Sequence, residues 1–177
     1  MKRCFLILVI AMVLSTAGAL RTEAASTPPG PSPISGCLNQ TLTNGLWNLK
    51  VTKVSIGTLP TDPDASALAV TFFFGPAKSQ TLIPDSDGVG EPVVTLKDGT
   101  TLDMSTHSRI AYGPEMSLNT FKAGEMKSGT YWYPSTDLGS KAVTFSMPVQ
   151  ATVGFLNRPV GYTVKNPSFQ VDLTCHS

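Results

Sequence analysis

The cysteines are the side chains of this 177-residue chain whose spacing most plainly implies a covalent chemistry. Cys4 lies in an N-terminal segment that we expect to be removed, which leaves Cys37 and Cys175 near the two ends of the mature chain. An even pair of cysteines in an oxidising compartment usually closes a disulfide. The sequence therefore predicts a Cys37–Cys175 bond.

Two groups of residues have metal-ligand chemistry, and neither forms a complete site. Asp85-Ser86-Asp87-Gly88 begins like a calcium loop, but the residues that follow supply only Glu91 as a further carboxylate, at the wrong distance. The second group is a loose set of soft ligands that suits Cu(I), although the His-x-Met pair of such sites is missing. Its members are Met104, His107, Met116 and Met126. We therefore expect no cofactor, and an exported copper-binding protein is the alternative function.

Catalytic patterns are not found in the sequence. The two histidines are His107 and His176, and no Gly-x-Ser-x-Gly elbow accompanies the many serines. A Gly-rich phosphate loop and a His-Glu-x-x-His zinc motif are missing as well. We predict that the protein is not an enzyme.

The densest aromatic cluster is Tyr131-Trp132-Tyr133. On a strand, successive side chains point to opposite faces, so Trp132 faces one side and the two tyrosines face the other. One side must join the core, and the other could present an aromatic surface to a protein or glycan. We assign this binding role to Tyr131 and Tyr133; the alternative is that both tyrosines border a second packed layer.

The N-terminus has the order of a secretory signal peptide. Lys2 and Arg3 precede an apolar run from Phe5 to Leu14, and cleavage would follow Ala19 or fall near Ala24. We therefore expect a signal peptide at 1–25, a Pro/Ser-rich leader at 26–36 and one domain at 37–177. The mature chain has no second apolar stretch long enough to span a membrane. The predicted location is the cell envelope or the medium outside the cell.

An alternative interpretation of Ile34-Ser35-Gly36-Cys37 is a bacterial lipobox, whose cysteine would be lipidated. A Pro-rich stretch separates it from the apolar run, and lipidation would leave Cys175 unpaired. We therefore favour the disulfide as the interpretation of Cys37.

Charge argues against a nucleic-acid or anionic-membrane partner. The full chain has a net charge of +1, and removal of residues 1–25 takes away three basic and one acidic residue, leaving −1. Only 14% of residues are charged, against about 25% in ordinary soluble domains. We expect a monomer whose partner is an unknown protein or glycan.

Alternating apolar residues predict strands along most of the chain. Leu38–Leu42 is expected to be the first strand, and a shift of apolar phase predicts a β-bulge near Lys53. The strand that ends at Phe74 is apolar on both faces and should be central, and Asp98-Gly99 is a strong hairpin signal. Later strands are expected at 129–133, 142–147, 151–156, 161–165 and 168–174. The best helix candidate is a single turn within 105–119.

Several of these segments resemble the telokin-like, immunoglobulin-like domains of bacterial exported proteins and lipoproteins. The similar segments are Asn44-Gly45-Leu46-Trp47-Asn48-Leu49-Lys50-Val51-Thr52-Lys53-Val54, Phe72-Phe73-Phe74, Leu96-Lys97-Asp98-Gly99-Thr100 and Phe121-Lys122-Ala123-Gly124-Glu125-Met126-Lys127-Ser128-Gly129. The resemblance implies a fold and an extracytoplasmic address, and it carries no catalytic residues. Together with the strand pattern, it predicts an all-β, immunoglobulin-like β-sandwich of about seven to nine antiparallel strands with one disulfide. The predicted function is a secreted, non-enzymatic binding or structural module.

Overall fold

The computed structural model describes residues 30–78, 81–103, 120–134, 141–153 and 158–177. The regular secondary structure of these residues is β-strand, apart from one turn of 3-10 helix at Asp85–Asp87. The strands are β1 (Ile34–Leu38), β2 (Leu42–Thr43), β3 (Trp47–Leu59), β4 (Asp62–Pro76), β5 (Val93–Leu96), β6 (Thr101–Leu102), β7 (Lys127–Pro134), β8 (Ala142–Met147), β9 (Thr152–Val153), β10 (Arg158–Pro159) and β11 (Phe169–His176). No helix in the described ranges has the length and apolar character that crossing a membrane requires.

Two sheets pack face to face as a β-sandwich. One sheet has five strands in the order β1-β11-β8-β5-β6, and the other has four in the order β2-β3-β4-β7. A small β9–β10 ribbon completes the described strands. Side chains that alternate along each strand point into the layer between the sheets, which is filled mainly by aliphatic and aromatic residues. The predicted all-β sandwich is confirmed.

The long β3–β4 hairpin forms the centre of the four-stranded sheet. β4 lies between β3 and β7, as its apolar character on both faces predicted. The pairing passes from Val51–Phe72 directly to Lys53–Thr71, so Thr52 is the extra residue of a β-bulge. This bulge is the one predicted near Lys53.

The centre of the core is an aromatic cluster. The rings of Trp47 and Phe74 stack with centroids 4.7 Å apart, and Phe121 meets the Trp47 ring edge-on at 5.5 Å. The ammonium group of Lys127 lies 4.5 Å from the centroid of the Phe121 ring. Offset and edge-to-face pairs of this kind add to the stabilisation that comes from burial.

A buried asparagine organises the turn into β3. Asn44 is fully buried, and its side-chain oxygen accepts hydrogen bonds from the backbone N–H groups of Leu46 and Trp47 at 3.1 and 2.8 Å. Its amide group donates to the carbonyl of Pro167 at 3.0 Å. Asn44 therefore ties the β2–β3 turn to the segment that leads into β11, 123 residues later.

The disulfide joins the terminal strands of the sandwich. Cys37 and Cys175 are bonded, with 138 residues of sequence separation, which confirms the predicted pairing and leaves Cys37 no free thiol for lipidation. β1 pairs with β11 in parallel, whereas the prediction had antiparallel strands only. The chain therefore runs in the same direction through β1 and β11.

The first strand is not where the sequence placed it. β1 covers Ile34–Leu38, and the chain then turns through Asn39, whose φ is +68°. Asparagine tolerates this left-handed conformation, so the predicted strand Leu38–Leu42 is broken at its second residue. Ordered β structure thus begins three residues before the predicted domain boundary at 37.

The remaining strand predictions have mixed outcomes. β8 has the predicted bounds, and Asp98-Gly99 closes the β5–β6 hairpin with Gly99 at φ +90°. The predicted strand at 161–165 is wrong, because Gly161 adopts φ +83° and the following residues form bends. The helix candidate at 105–119 and the signal peptide lie outside the described residues.

Candidate binding face

The two tyrosines of β7 point into the core. Tyr131 is 7% exposed and stacks on Phe72 at 5.2 Å, and Tyr133 is 1% exposed with its hydroxyl donating to the carbonyl of Pro92. Burial raises the pKa of Tyr131 to about 12, with a smaller contribution from the Glu91 carboxylate, and burial also raises the pKa of Tyr133. The structure therefore does not place Tyr131 and Tyr133 on the exposed aromatic surface that the sequence predicted for them.

Trp132 is the aromatic residue of β7 that faces outward. It pairs with Ala69 on β4, and a Cβ atom built on Gly57 of β3 would lie 3.5 Å from its ring. Since β4 separates β7 from β3, the indole must lie across β4 to reach Gly57. Gly57 and the two outward-facing alanines of β4, Ala67 and Ala69, leave room for the ring to lie against the sheet. We call this arrangement the Trp132 shelf.

A second aromatic residue lies further along the same face. Phe73 is 37% exposed and pairs with Lys50 on one side and Ser128 on the other. Its row is four residues along β4 from the row of Trp132, which is about 14 Å. Between these rows, the hydroxyls of Thr71 and Thr130 are 3.0 Å apart and hydrogen bonded.

The outer face is mildly basic. Lys50 and Lys53 both project from β3 on this side, beside Phe73 and Thr71 respectively. The other members of these rows are small, hydroxyl-bearing or aromatic residues, and none is a carboxylate. The face thus combines two separated aromatic rings, a row of hydroxyls and two cations, all held on one regular sheet.

A polar groove lies on the outer face of the other sheet, with a volume of about 290 Å³. It is lined by Ser35 and Gly36 of β1, Val143 and Thr144 of β8, and Gln170, Asp172 and Thr174 of β11. The Thr174 hydroxyl and backbone N–H both donate to Asp172, which lowers the pKa of that carboxyl. An acid held ionised by its own neighbours is a poor proton donor near neutral pH.

The described residues include the Asp85–Gly88 turn and one of the four soft-ligand candidates. Asp85-Ser86-Asp87-Gly88 forms a compact turn in which the Asp87 carboxylate accepts from the Ile83 N–H and the Asp87 carbonyl accepts from the Tyr162 hydroxyl. Among the described residues, no group of three or more His, Cys, Asp and Glu side chains is placed to hold a metal ion. Met126 is exposed before β7. The other soft ligands, Met104, His107 and Met116, lie outside the described residues.

The outward position of Trp132 has a counterpart in the sequence, in the small residues of two other strands. Gly57 on β3 and Ala67 and Ala69 on β4 are small residues at neighbouring outward positions. Small residues at facing positions of neighbouring strands leave space for a large side chain from a third strand. That inference needs the strand register, which the sequence alone did not provide.

Comparisons with known proteins give likenesses of fold. No protein-family model matches the chain, and no curated protein matches its sequence. The secreted protein MPT63 from Mycobacterium tuberculosis matches 80% of this chain and 98% of its own, with 15% identity and a TM-score of 0.50. The yjhA protein from Bacillus subtilis matches 77% of this chain and 98% of its own, with 15% identity and a TM-score of 0.51. An uncharacterised β-sandwich protein from Clostridium difficile matches 82% of this chain and 97% of its own, with 8% identity and a TM-score of 0.49. The fold of this chain is therefore similar to that of MPT63 and yjhA.

Proposed function

We propose that the protein is an extracytoplasmic, non-enzymatic binding module that recognises a protein or glycan through the outer face of its four-stranded sheet. In this proposal it is an immunoglobulin-like domain of the telokin-like kind found in bacterial exported proteins. The observation that carries the proposal is the Trp132 shelf, an indole laid against a floor of small residues.

The shelf suits recognition because its geometry is fixed before binding. A tryptophan that already lies against a sheet loses little conformational freedom when a partner covers it. Sugar rings stack their C–H faces on such indoles, and protein partners commonly use tryptophan as a binding hot spot. The neighbouring Thr71 and Thr130 hydroxyls can bond polar groups of the same ligand.

Three observations support the extracytoplasmic address. The Cys37–Cys175 disulfide fits an oxidising compartment. The N-terminal sequence has the order of a signal peptide. MPT63, which has a similar fold, is described as a secreted protein.

The copper alternative remains a prediction from the sequence. Three of its four ligand candidates lie outside the described residues, and no geometric observation favours it over the binding face. Titration of the purified protein with Cu(I) tests it directly, since a genuine Met/His site would bind the ion tightly and stoichiometrically.

The binding face is tested by screening the purified, oxidised protein against a glycan array and immobilised envelope proteins. We expect Trp132→Ala to lower the affinity for any partner found in the screen at least tenfold, as truncation of a hot-spot residue does. Val164→Ala, a substitution of another partly exposed apolar residue, is the matched control and should leave binding unchanged. Loss of the folded state in Trp132→Ala, or unchanged binding by it, would give Trp132 a purely structural role and contradict the proposal.

A further inference from the structure

An apolar cleft opens between the two sheets, on the side of the four-stranded sheet opposite the Trp132 shelf. Its volume is about 330 Å³, within the range of small-molecule sites. The wall from the four-stranded sheet consists of Val54, Ile56 and Leu68, with Ser55 beside them. The wall from the five-stranded sheet consists of Leu96, Ala142 and Leu173, and Lys141 adjoins it.

The cleft is a gap in the layer between the sheets. Ile56 pairs with Leu68, whose side chain belongs to the core, so both point toward the opposite sheet. Leu68 is 4% exposed, whereas Ile56 is 61% exposed, the highest value for a large apolar side chain among the described residues. The opposite sheet contributes Leu96, Leu173 and, at the start of β8, the small side chain of Ala142. Water therefore reaches an isoleucine that the strand pattern directs inward.

A cation lies at the mouth of the apolar walls. Lys141 is exposed, and its carbonyl accepts the N–H of Lys97 at 2.9 Å, which fixes its backbone against the end of β5. Between described residues the ion pair is that of Lys127 with Glu125, and the ammonium group of Lys141 pairs with none of the described carboxylates. The cleft thus combines an apolar interior with one positive charge at its rim.

We propose that this cleft is a binding site for a single-chain fatty carboxylate. The acyl chain lies between the walls of the two sheets, and the carboxylate pairs with Lys141. At roughly 30 Å³ for each small group, about the share of a water molecule in the liquid, the volume holds on the order of ten methylenes. This site is separate from the outer face and does not depend on the function proposed for that face.

A second protein molecule is a poorer occupant than a fatty acid. Eight residues line the cleft. A stable protein interface uses about 20–30 residues on each side. A neutral apolar ligand would leave Lys141 without a role, whereas a carboxylate uses both parts of the site.

Calorimetric titration of the purified exported chain with dodecanoate, below its micelle-forming concentration, tests the proposal. We expect saturable binding of one dodecanoate per chain. Octanoate should bind at least tenfold more weakly, because four fewer methylenes contact the apolar walls. Dodecanol should bind two- to fivefold more weakly than dodecanoate, which is the scale of one exposed ion pair.

Variants separate the two parts of the site. Ile56→Asp should lower dodecanoate affinity at least tenfold, and Ala142→Leu, which fills the cleft without adding charge, should do the same. Lys141→Gln should lower dodecanoate affinity two- to fivefold and leave dodecanol binding unchanged. The matched controls are Ile83→Asp and Lys165→Gln, which change exposed residues outside the cleft and should have no effect.

Three results would overturn the proposal. The first is the lack of saturable dodecanoate binding. The second is equal dodecanoate affinity in the wild type and in whichever of Ile56→Asp and Ala142→Leu stays folded. The third is a dimer that Ile56→Asp abolishes, in a protein that binds no dodecanoate, which would assign the cleft to a second copy of the chain. Trp132→Ala should leave dodecanoate binding unchanged, so failure of the outer-face proposal would be seen separately.

Discussion

Replacing Asn44 by alanine should be among the most destabilising polar substitutions in this domain. The side chain makes three hydrogen bonds, two accepted from backbone N–H groups and one donated to the Pro167 carbonyl. All three lie in the interior, and Asn44 itself is 0% exposed. Alanine would leave the two backbone donors and the carbonyl without these partners.

The size of the effect follows from those three bonds. A typical intramolecular hydrogen bond contributes about 1 kcal/mol net, and a buried group left unsatisfied costs about 1–3 kcal/mol. We therefore expect Asn44→Ala to lower the free energy of unfolding by about 3–5 kcal/mol. Thr43→Ala is the matched control, because the neighbouring Thr43 hydroxyl accepts one exposed hydrogen bond, from the Gly45 N–H. Its cost should stay below about 1 kcal/mol.

Urea unfolding followed by tryptophan fluorescence and circular dichroism measures both variants. Trp47 is fully buried and adjoins the Asn44 turn, so its emission reports the loss of the core. The dependence of unfolding free energy on urea should be the same in wild type and variants, since the surface exposed on unfolding is nearly unchanged. If Asn44→Ala costs no more than Thr43→Ala, the turn does not depend on the buried amide and the reasoning is refuted.

Three further predictions concern the disulfide, a close backbone approach and the buried phenols. Replacing Cys37 and Cys175 by serine should lower the free energy of unfolding by about 3–5 kcal/mol, measured by urea titration of the oxidised wild type and the double variant. Gly75→Ala should cost at least about 2 kcal/mol, because its Cβ would lie 1.9 Å from a backbone oxygen, whereas Gly57→Ala, with its nearest atom at 3.5 Å, should be tolerated in the same assay. The pKa of Tyr131 is raised from 10.0 to about 12, so the stability linked to its neutral phenol is present below pH 10 and is lost as pH rises toward 12. Alkaline titration by tyrosinate absorbance should show this group ionising together with unfolding; ionisation near pH 10 in the folded protein would contradict the burial.

Local patterns in the sequence were enough for most strands of the sandwich. The alternation of apolar residues placed β8 with its observed bounds, and a shift in that alternation located the Thr52 bulge. These signals work because each strand has one face against the core, which fixes a period of two residues. The 161–165 segment has the same alternation, yet Tyr162 bonds the Asp87 carbonyl and Thr163 bonds the Asn44 carbonyl. Such long-range contacts leave no trace in local periodicity.

The candidate site could be predicted only to the level of the correct strand. The period of two residues separates Trp132 from its two tyrosine neighbours, but it does not say which face is buried when both are aromatic. That choice depends on Ala69 and Gly57, which lie in other strands and whose pairing is a property of the folded sheet. The parallel pairing of β1 with β11 was missed for a similar reason, because a disulfide brings two segments together without fixing their relative direction.

The β3–β4 hairpin serves both proposed sites, and its alternation keeps them independent. Ile56 points inward to the cleft, and the next residue, Gly57, faces outward beneath the Trp132 ring. A ligand in the cleft and a partner on the shelf would therefore contact opposite sides of β3 and β4. Because the β3 backbone at these residues is held by its ladder with β4, a substitution on one face of the strand should have little effect on the other. Substitutions at Ile56 and at Trp132 can therefore test the two sites separately.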